Sequence, residues 1–189
     1  MTPERRALSS SAPTAEGRLV SGYAALFNTR SENLGTSERP VFEVIAPGAF
    51  DGVLLDDVVA CFNHGENQLL ARSKNGTGTL KLTVDSIGLL YTFESPETTA
   101  GNDLLVSIKR GDISGSSFAF TVAKGGDTYT QEGAGVVRTI SQIGKLYDVS
   151  PVVRPAYADA NVTARGISET YPAATPRANV WKRMLELLK

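Results

Sequence analysis

Short apolar runs, some of them alternating with polar residues, recur along the chain between turn-forming residues. This pattern is typical of β-strands. Two examples are RLVSGYAALF from residue 18 and VVACF from residue 58. The strand predictions cover residues 18–27, 41–45, 58–62, 69–73, 79–84, 89–93, 116–122, 136–143 and 146–153. Many short strands with few helices favour a mainly β (α+β) fold, a closed or nearly closed barrel with flanking helices, over a parallel α/β sheet.

Helix signals are confined to a few places. Residues 98–110 are predicted to form a helix that Thr98 or Thr99 caps and that Gly111 ends. Pro47 is predicted to begin a shorter helix over residues 47–50, because proline suits the first helical turn.

The length and the ends of the chain predict one domain with two mobile termini. The 189 residues suit a single domain plus a tail. Residues 1–16 are rich in Ser, Thr, Pro and Ala and are expected to be a flexible arm, so the domain is assigned to residues 17–157. Residues 158–189 are expected to be a flexible tail that ends in a short amphipathic helix from Trp181.

Composition excludes several kinds of partner. The formal net charge is -1, which argues against nucleic acid as the main partner. No apolar stretch approaches the roughly 18 residues of a membrane span, and the N-terminus lacks the apolar core of a signal peptide. The single cysteine rules out an intrachain disulfide and favours a reducing compartment. Neither a P-loop nor a dinucleotide-binding motif is present, so no cofactor is expected.

The single histidine, His64, follows an apolar strand and precedes Gly65. A lone histidine is usually structural or solvated. At the end of a rigid strand, however, the side chain can reach into a cleft, where an imidazole can act as a base.

A serine pair lies where small residues run into the predicted strand 116–122. Because side chains alternate across a strand, Ser116 shares the core face with Phe118 and Phe120, and Ser117 points the other way with Ala119. Ser117 is therefore the better candidate nucleophile. The alternative is that both serines are ordinary turn residues before a strand.

Asp148 lies in the predicted strand 146–153 and should point away from the core, as Ser117 does. A serine hydroxyl needs an imidazole to accept its proton and a carboxylate to orient that imidazole. Asp148 could orient His64 in this way. The alternative is a solvated acid on an edge strand.

Competing chemistries fit the residues less well. His64-Gly65-Glu66 resembles the His-x-Glu of zinc deaminases, but those enzymes also need a Cys-x-x-Cys that a chain with one cysteine lacks. No metal site is expected, because a typical zinc site needs more than the single histidine. A different hydrolase that uses His64 and Glu66, with or without a metal, stays open. Cys61 is expected to be a core residue.

Five segments together resemble the prohead proteases of HK97-type tailed phages, which are distantly similar to the herpesvirus capsid-assembly proteases. The segments are GYAALF from residue 22, EVIAPGAF from residue 43, FNH from residue 62, GSSFAF from residue 115 and DVSPVVRPA from residue 148. The most distinctive part is IAPGAF, and the segments span residues 18 to about 160.

The resemblance implies a herpesvirus-protease-like closed antiparallel barrel with flanking helices. It implies that Ser117 is the nucleophile and His64 its base. Asp148 then stands where the family usually has glutamate, as the third member of the triad. The resemblance also implies that Arg154 or a neighbouring residue helps to bind the oxyanion.

The implied function is a serine endopeptidase that cleaves the scaffolding region of the major capsid protein inside the immature prohead, in the host cytoplasm. The expected partners are that capsid protein and the chain itself, through self-cleavage or a homo-oligomer. The alternative is a catalytically inactive scaffold or capsid-binding module of the same fold.

Overall fold

A computed structural model describes residues 3–8 and 12–153. This part of the chain is mainly β, as predicted. Its strands are β1 (Glu4–Leu8), β2 (Thr14–Glu16), β3 (Leu19–Leu26), β4 (Val41–Ile45), β5 (Val58–Cys61), β6 (Leu69–Lys74), β7 (Thr77–Gly78), β8 (Leu80–Val84), β9 (Gly88–Glu94), β10 (Gly115–Val122), β11 (Asp127–Glu132), β12 (Gly135–Ile140) and β13 (Ile143–Val152). One α-helix, α1 (Thr99–Arg110), and short 3-10 turns at Phe62–His64 and Glu66–Gln68 complete the described elements.

The strands form three sheets. The largest has the order β1-β10-β13-β5-β6-β7, the second β2-β3-β9-β8, and the third β11-β12-β4. Strand β12 runs parallel to β4, and β13 runs parallel to β5. The remaining pairings are antiparallel.

The predicted closed antiparallel barrel is wrong for the described residues. Each of the three sheets keeps two edge strands, and two of the pairings are parallel. A barrel requires the first and last strands of a sheet to pair with each other. Nine strands were predicted and thirteen are present in the described part of the chain; how the strands pair into sheets depends on long-range contacts that local patterns do not encode.

The N-terminal segment, which was predicted to be a flexible arm, contains two strands. Strand β1 pairs with β10, and β2 pairs with β3. The composition of this segment did not predict either strand. Strand β1 is held by charged side chains that bind distant residues, and not by an apolar stripe. The predicted tail, residues 158–189, lies outside the described residues.

The helix prediction is confirmed. The Thr98 hydroxyl accepts a hydrogen bond from the Gly101 N–H, and Gly111 ends α1 in the left-handed conformation with φ of 77°. Residues 47–50, predicted to begin a second helix, form successive turns instead. Gly48 lies there at φ of 85°, which a right-handed helix does not allow.

Aromatic packing beneath the six-stranded sheet fixes which side of β10 faces the core. The rings of Phe118 and Phe120 stack at 4.7 Å, and Phe50 meets Phe118 edge-on at 5.8 Å. Because these phenylalanines are buried on one face of β10, the residues between them must face the other side. This arrangement orients Ser117.

In the described part of the chain, no helix has both the length and the apolar character to cross a membrane.

Candidate active site

Three adjacent strands of the six-stranded sheet bring together the three residues that the sequence singled out. Ser117 lies on β10, Asp148 on the central strand β13, and His64 directly after β5. In the β10–β13 register, Ser117 pairs with Ser150 and Ala119 pairs with Asp148. Cross-strand partners share a sheet face, so Ser117 and Asp148 point to the same side, as predicted.

The two serines of the doublet have different environments, although neither has any exposed surface. The Ser116 hydroxyl lies 2.9 Å from the Tyr91 hydroxyl in the core. The Ser117 hydroxyl lies 2.7 Å from Nε2 of His64 on the opposite face. The structure therefore brings Ser117, and not Ser116, to the imidazole.

A left-handed turn aims the His64 ring at these strands. Asn63 and His64 have φ of 50° and 59°, a conformation uncommon for residues other than glycine but enriched in asparagine and histidine. The Asn63 side chain holds this turn, because its Oδ1 accepts a hydrogen bond of 2.9 Å from the Val153 N–H at the end of β13. Backbone strain of this kind often occurs at functional sites.

The His64 ring links the other two residues. Its Nδ1 lies 2.7 Å from Oδ1 of Asp148, and its Nε2 lies 2.7 Å from Oγ of Ser117. The side chains of His64 and Asp148 are only 12% and 11% exposed. With Asp148 ionised, Nδ1 carries the hydrogen and donates it to the carboxylate, so the lone pair of Nε2 can accept the Ser117 proton.

Ser150 supports Asp148, and the sequence interpretation did not assign it a role. Its hydroxyl donates to Oδ1 of Asp148 at 2.9 Å, and Ser150 has no exposed surface. The same carboxylate oxygen thus accepts bonds from Ser150 and His64. The available signal was the spacing of two, which places Ser150 and Asp148 on one strand face.

Cys61 is not a rival nucleophile. It is buried, and this burial raises the pKa of its thiol to about 11, with the negative charges of Asp148 and Glu66 adding to the effect. A thiol with such a pKa stays protonated at neutral pH, and the reactive form is the thiolate.

An arginine of β1 also reaches the site, which the prediction of a mobile arm did not foresee. The Ser117 hydroxyl lies 2.9 Å from the backbone carbonyl oxygen of Arg6. The Arg6 guanidinium binds Glu43 through both Nε and Nη2, and the Nη2 bond is 2.9 Å. Strand β1 is therefore fixed beside the candidate nucleophile by its backbone and by a side chain.

Glu43 lies at the centre of a buried charge network. Arg138 donates to Glu43 at 2.7 Å, to Asp127 at 2.7 Å, and to Glu4 of β1 at 2.7 Å. Burial on its own raises the pKa of the Glu43 carboxyl, but the guanidinium groups of Arg6 and Arg138 outweigh it, so the pKa is lower than the ordinary 4.5. Glu43 is therefore ionised at neutral pH although it is only 4% exposed.

The structure does not support the alternative site with Glu66, and it does not describe Arg154. Glu66, the partner of His64 in the alternative hydrolase, is exposed. Within residues 3–8 and 12–153, no group of three or more His, Cys, Asp or Glu side chains is arranged to hold a metal ion. Arg154, predicted near the oxyanion, lies outside the described residues.

Comparison with known proteins identifies the family. Residues 6–172, most of the chain, match the family described as Caudovirus prohead serine protease. No curated protein and no solved structure matches the chain.

Proposed function

The chain belongs to the caudovirus prohead serine protease family, and we propose that it cleaves peptide bonds through Ser117, His64 and Asp148. Membership makes it a serine protease of capsid maturation that interacts with capsid proteins inside the prohead. The observation that supports the residue roles is the continuous contact from Asp148 through His64 to Ser117, with 2.7 Å on each side of the imidazole.

The chemistry follows from these contacts. As the Ser117 oxygen attacks the scissile carbonyl carbon, its proton passes to Nε2 of His64. The imidazolium that forms is stabilised by the Asp148 carboxylate on Nδ1. His64 then gives the proton to the leaving amine, and water hydrolyses the acyl-enzyme by the same route in reverse.

The side chain of Asp148 is shorter than the glutamate that the prohead proteases which this chain resembles usually have at this position. Its carboxylate nevertheless lies within hydrogen-bond distance of Nδ1. The left-handed turn at Asn63 and His64 presents the imidazole to β13 as well as to β10. This contact supports the proposal that an aspartate orients the ring.

The proposed substrate is the scaffolding region of the major capsid protein, and the chain is also proposed to cleave itself. An enzyme enclosed with its substrate in the prohead meets it at high effective concentration. Flexible, accessible segments are the preferred sites of such cleavage.

The test is to co-express the chain with the capsid protein encoded beside it, and to follow the intact masses of both proteins over time. Wild type should shorten the capsid protein, and Ser117→Ala should not. Ser116→Ala is the matched control, because it removes the neighbouring buried hydroxyl on the other face of β10. Cleavage by Ser117→Ala would refute the assignment. An uncleaved capsid protein in assembled wild-type proheads would favour the inactive capsid-binding module.

A further inference from the structure

Strand β1 occupies the edge of β10 directly beside the candidate nucleophile. It pairs antiparallel with β10, with Ala7 opposite Ser117 and Arg6 opposite Phe118. Its outer position makes β1 an edge strand of the six-stranded sheet. Adding an extended peptide to a sheet edge is a general mode of peptide recognition. In this chain, residues of its own N-terminus fill the place where such a peptide would pair with β10.

Burial shows that the site is closed while β1 is bound. Ser117 has no exposed surface, and the His64 side chain is only 12% exposed. A peptide substrate must bring its carbonyl carbon to the Ser117 oxygen, and the Arg6 carbonyl oxygen already lies 2.9 Å from that oxygen. Substrate can therefore reach Ser117 only after β1 leaves.

The same contact competes for the proton that catalysis uses. The Ser117 hydroxyl has a single hydrogen. When it is donated to the Arg6 carbonyl, it is not available to Nε2 of His64, although both acceptors lie within 2.9 Å. A serine held in this way is not activated by its base.

We propose that β1 is a pseudosubstrate strand, which blocks Ser117 and marks the sequence that the enzyme prefers: an acidic residue two positions before a basic residue. The inference rests on the proposed role of Ser117. It predicts that substrates displace β1 by making the same contacts. Glu4 and Arg6 supply those contacts from one face of β1, whereas Arg5 is exposed on the other.

The charges beneath β1 explain the preference. Without β1, the network retains two carboxylates, Glu43 and Asp127, and the single guanidinium of Arg138. The buried Glu43 side chain then lacks one of its two cationic partners, so the site favours a cation where Arg6 lies. Arg138 in turn contacts both carboxylate oxygens of Glu4, at 2.7 and 3.1 Å, and so favours an acid at that position.

The first experiment measures the rate at which a fluorophosphonate labels Ser117 in the full-length chain. Arg6→Ala should release β1 and raise this rate about tenfold or more, because losing one partner of a buried ion pair is costly. Arg5→Ala is the matched control on the same strand and should label as wild type does. Glu4→Ala, which removes the contact of β1 with Arg138, replaces Arg6→Ala if that variant does not fold.

Hydrogen exchange of the β10 amides shows whether β1 has left, independently of catalysis. Faster exchange with faster labelling supports the proposal. Equal labelling of wild type, Arg5→Ala and Arg6→Ala overturns it and leaves Ser117 as the nucleophile. Unchanged exchange in Arg6→Ala also overturns it. Faster exchange without labelling in any variant refutes the proposed function, because an exposed catalytic serine should react.

Synthetic peptides test the sequence preference on the Arg6→Ala protein. A peptide with the sequence of residues 4–8, ERRAL, should slow labelling by occupying the vacated edge. Replacing its second residue by alanine should change little, whereas replacing its first or third should weaken inhibition about tenfold or more. Equal inhibition by all four peptides would overturn the proposed specificity.

Discussion

Ser150 offers a sensitive test of how the site is held, because its hydroxyl bonds Asp148 rather than His64 or Ser117. Its hydroxyl donates to the same Oδ1 of Asp148 that accepts from His64. Ser150→Ala removes this donor and leaves the triad side chains in place. Asp148 then loses one of the two described hydrogen bonds to its Oδ1, so the carboxylate spends less time aligned with the ring.

The magnitude follows from the type of bond that is lost. A hydrogen bond to a charged group contributes about 1.5–3 kcal/mol, and each 1.36 kcal/mol corresponds to about a tenfold change in rate. The largest expected loss in kcat/KM is therefore about 150-fold. It would occur if the full free energy of this hydrogen bond stabilised the transition state. Since the His64 contact remains, we expect a loss of about tenfold in kcat/KM.

The assay is the initial rate of capsid-protein cleavage, followed by intact mass, with thermal unfolding measured alongside. Ser150→Thr keeps the hydroxyl and should recover most of the activity. Asp148→Asn should lose far more than Ser150→Ala, about 10⁴-fold by comparison with other serine proteases. The reasoning fails if Ser150→Ala cleaves at the wild-type rate, or if Ser150→Thr is no better than Ser150→Ala while both are folded.

Further predictions concern the supports of the site. Asn63→Ala should lower the free energy of unfolding by about 1–3 kcal/mol and slow cleavage, because it removes the bond from the Val153 N–H and places alanine at a positive φ. Gly22→Ala should destabilise by about 1–3 kcal/mol in denaturant unfolding, because its Cβ would lie 2.6 Å from the Tyr91 hydroxyl. The pKa of Glu43 is lower in the folded state than its ordinary 4.5, so ionised Glu43 stabilises the fold above pH 4.5. This contribution is lost as the pH falls through the pKa of Glu43 in the folded state. Wild type should therefore lose stability below pH 4.5 more steeply than Glu43→Gln does.

Each of these predictions has a contradicting result. Asn63→Gly keeps the positive φ without strain, so it should be less destabilised than Asn63→Ala; the reverse order would contradict the role of the turn. Wild-type stability in Gly22→Ala would show that the β3 backbone is not closely packed against Tyr91. Parallel pH curves for wild type and Glu43→Gln would show that the network around Glu43 does not stabilise the fold.

The strands that the sequence predicted well are those with an apolar face in the core. Strand β4 was predicted with its observed bounds, because its apolar residues mark it clearly between a polar loop and a proline-glycine turn. The faces of Ser117 and Asp148 followed from the two-residue period of a strand, since the phenylalanines of β10 decide which side is inside.

The features that were missed depend on residues far apart in the chain. Strand β11 (DTYTQE) is largely exposed and has no apolar face, so nothing local distinguishes it from a loop. Strand β1 is held by Arg6 and Glu43, which are 37 positions apart. The parallel pairing of β13 with β5 likewise joins distant segments. Periodicity describes neighbours along the chain and carries no information about such partners.

The order of the strands has a consequence for the timing of activity. The candidate triad needs β13, which is the last described strand to be synthesised and yet lies between β10 and β5 in the sheet. A chain on the ribosome that has not yet released residue 148 has neither the carboxylate nor the strand that joins Ser117 to His64. Because such distant pairings are slow to form, a nascent chain would lack the proposed triad. If β1 then covers the new site as proposed, the folded chain would stay inactive from synthesis until something displaces that strand.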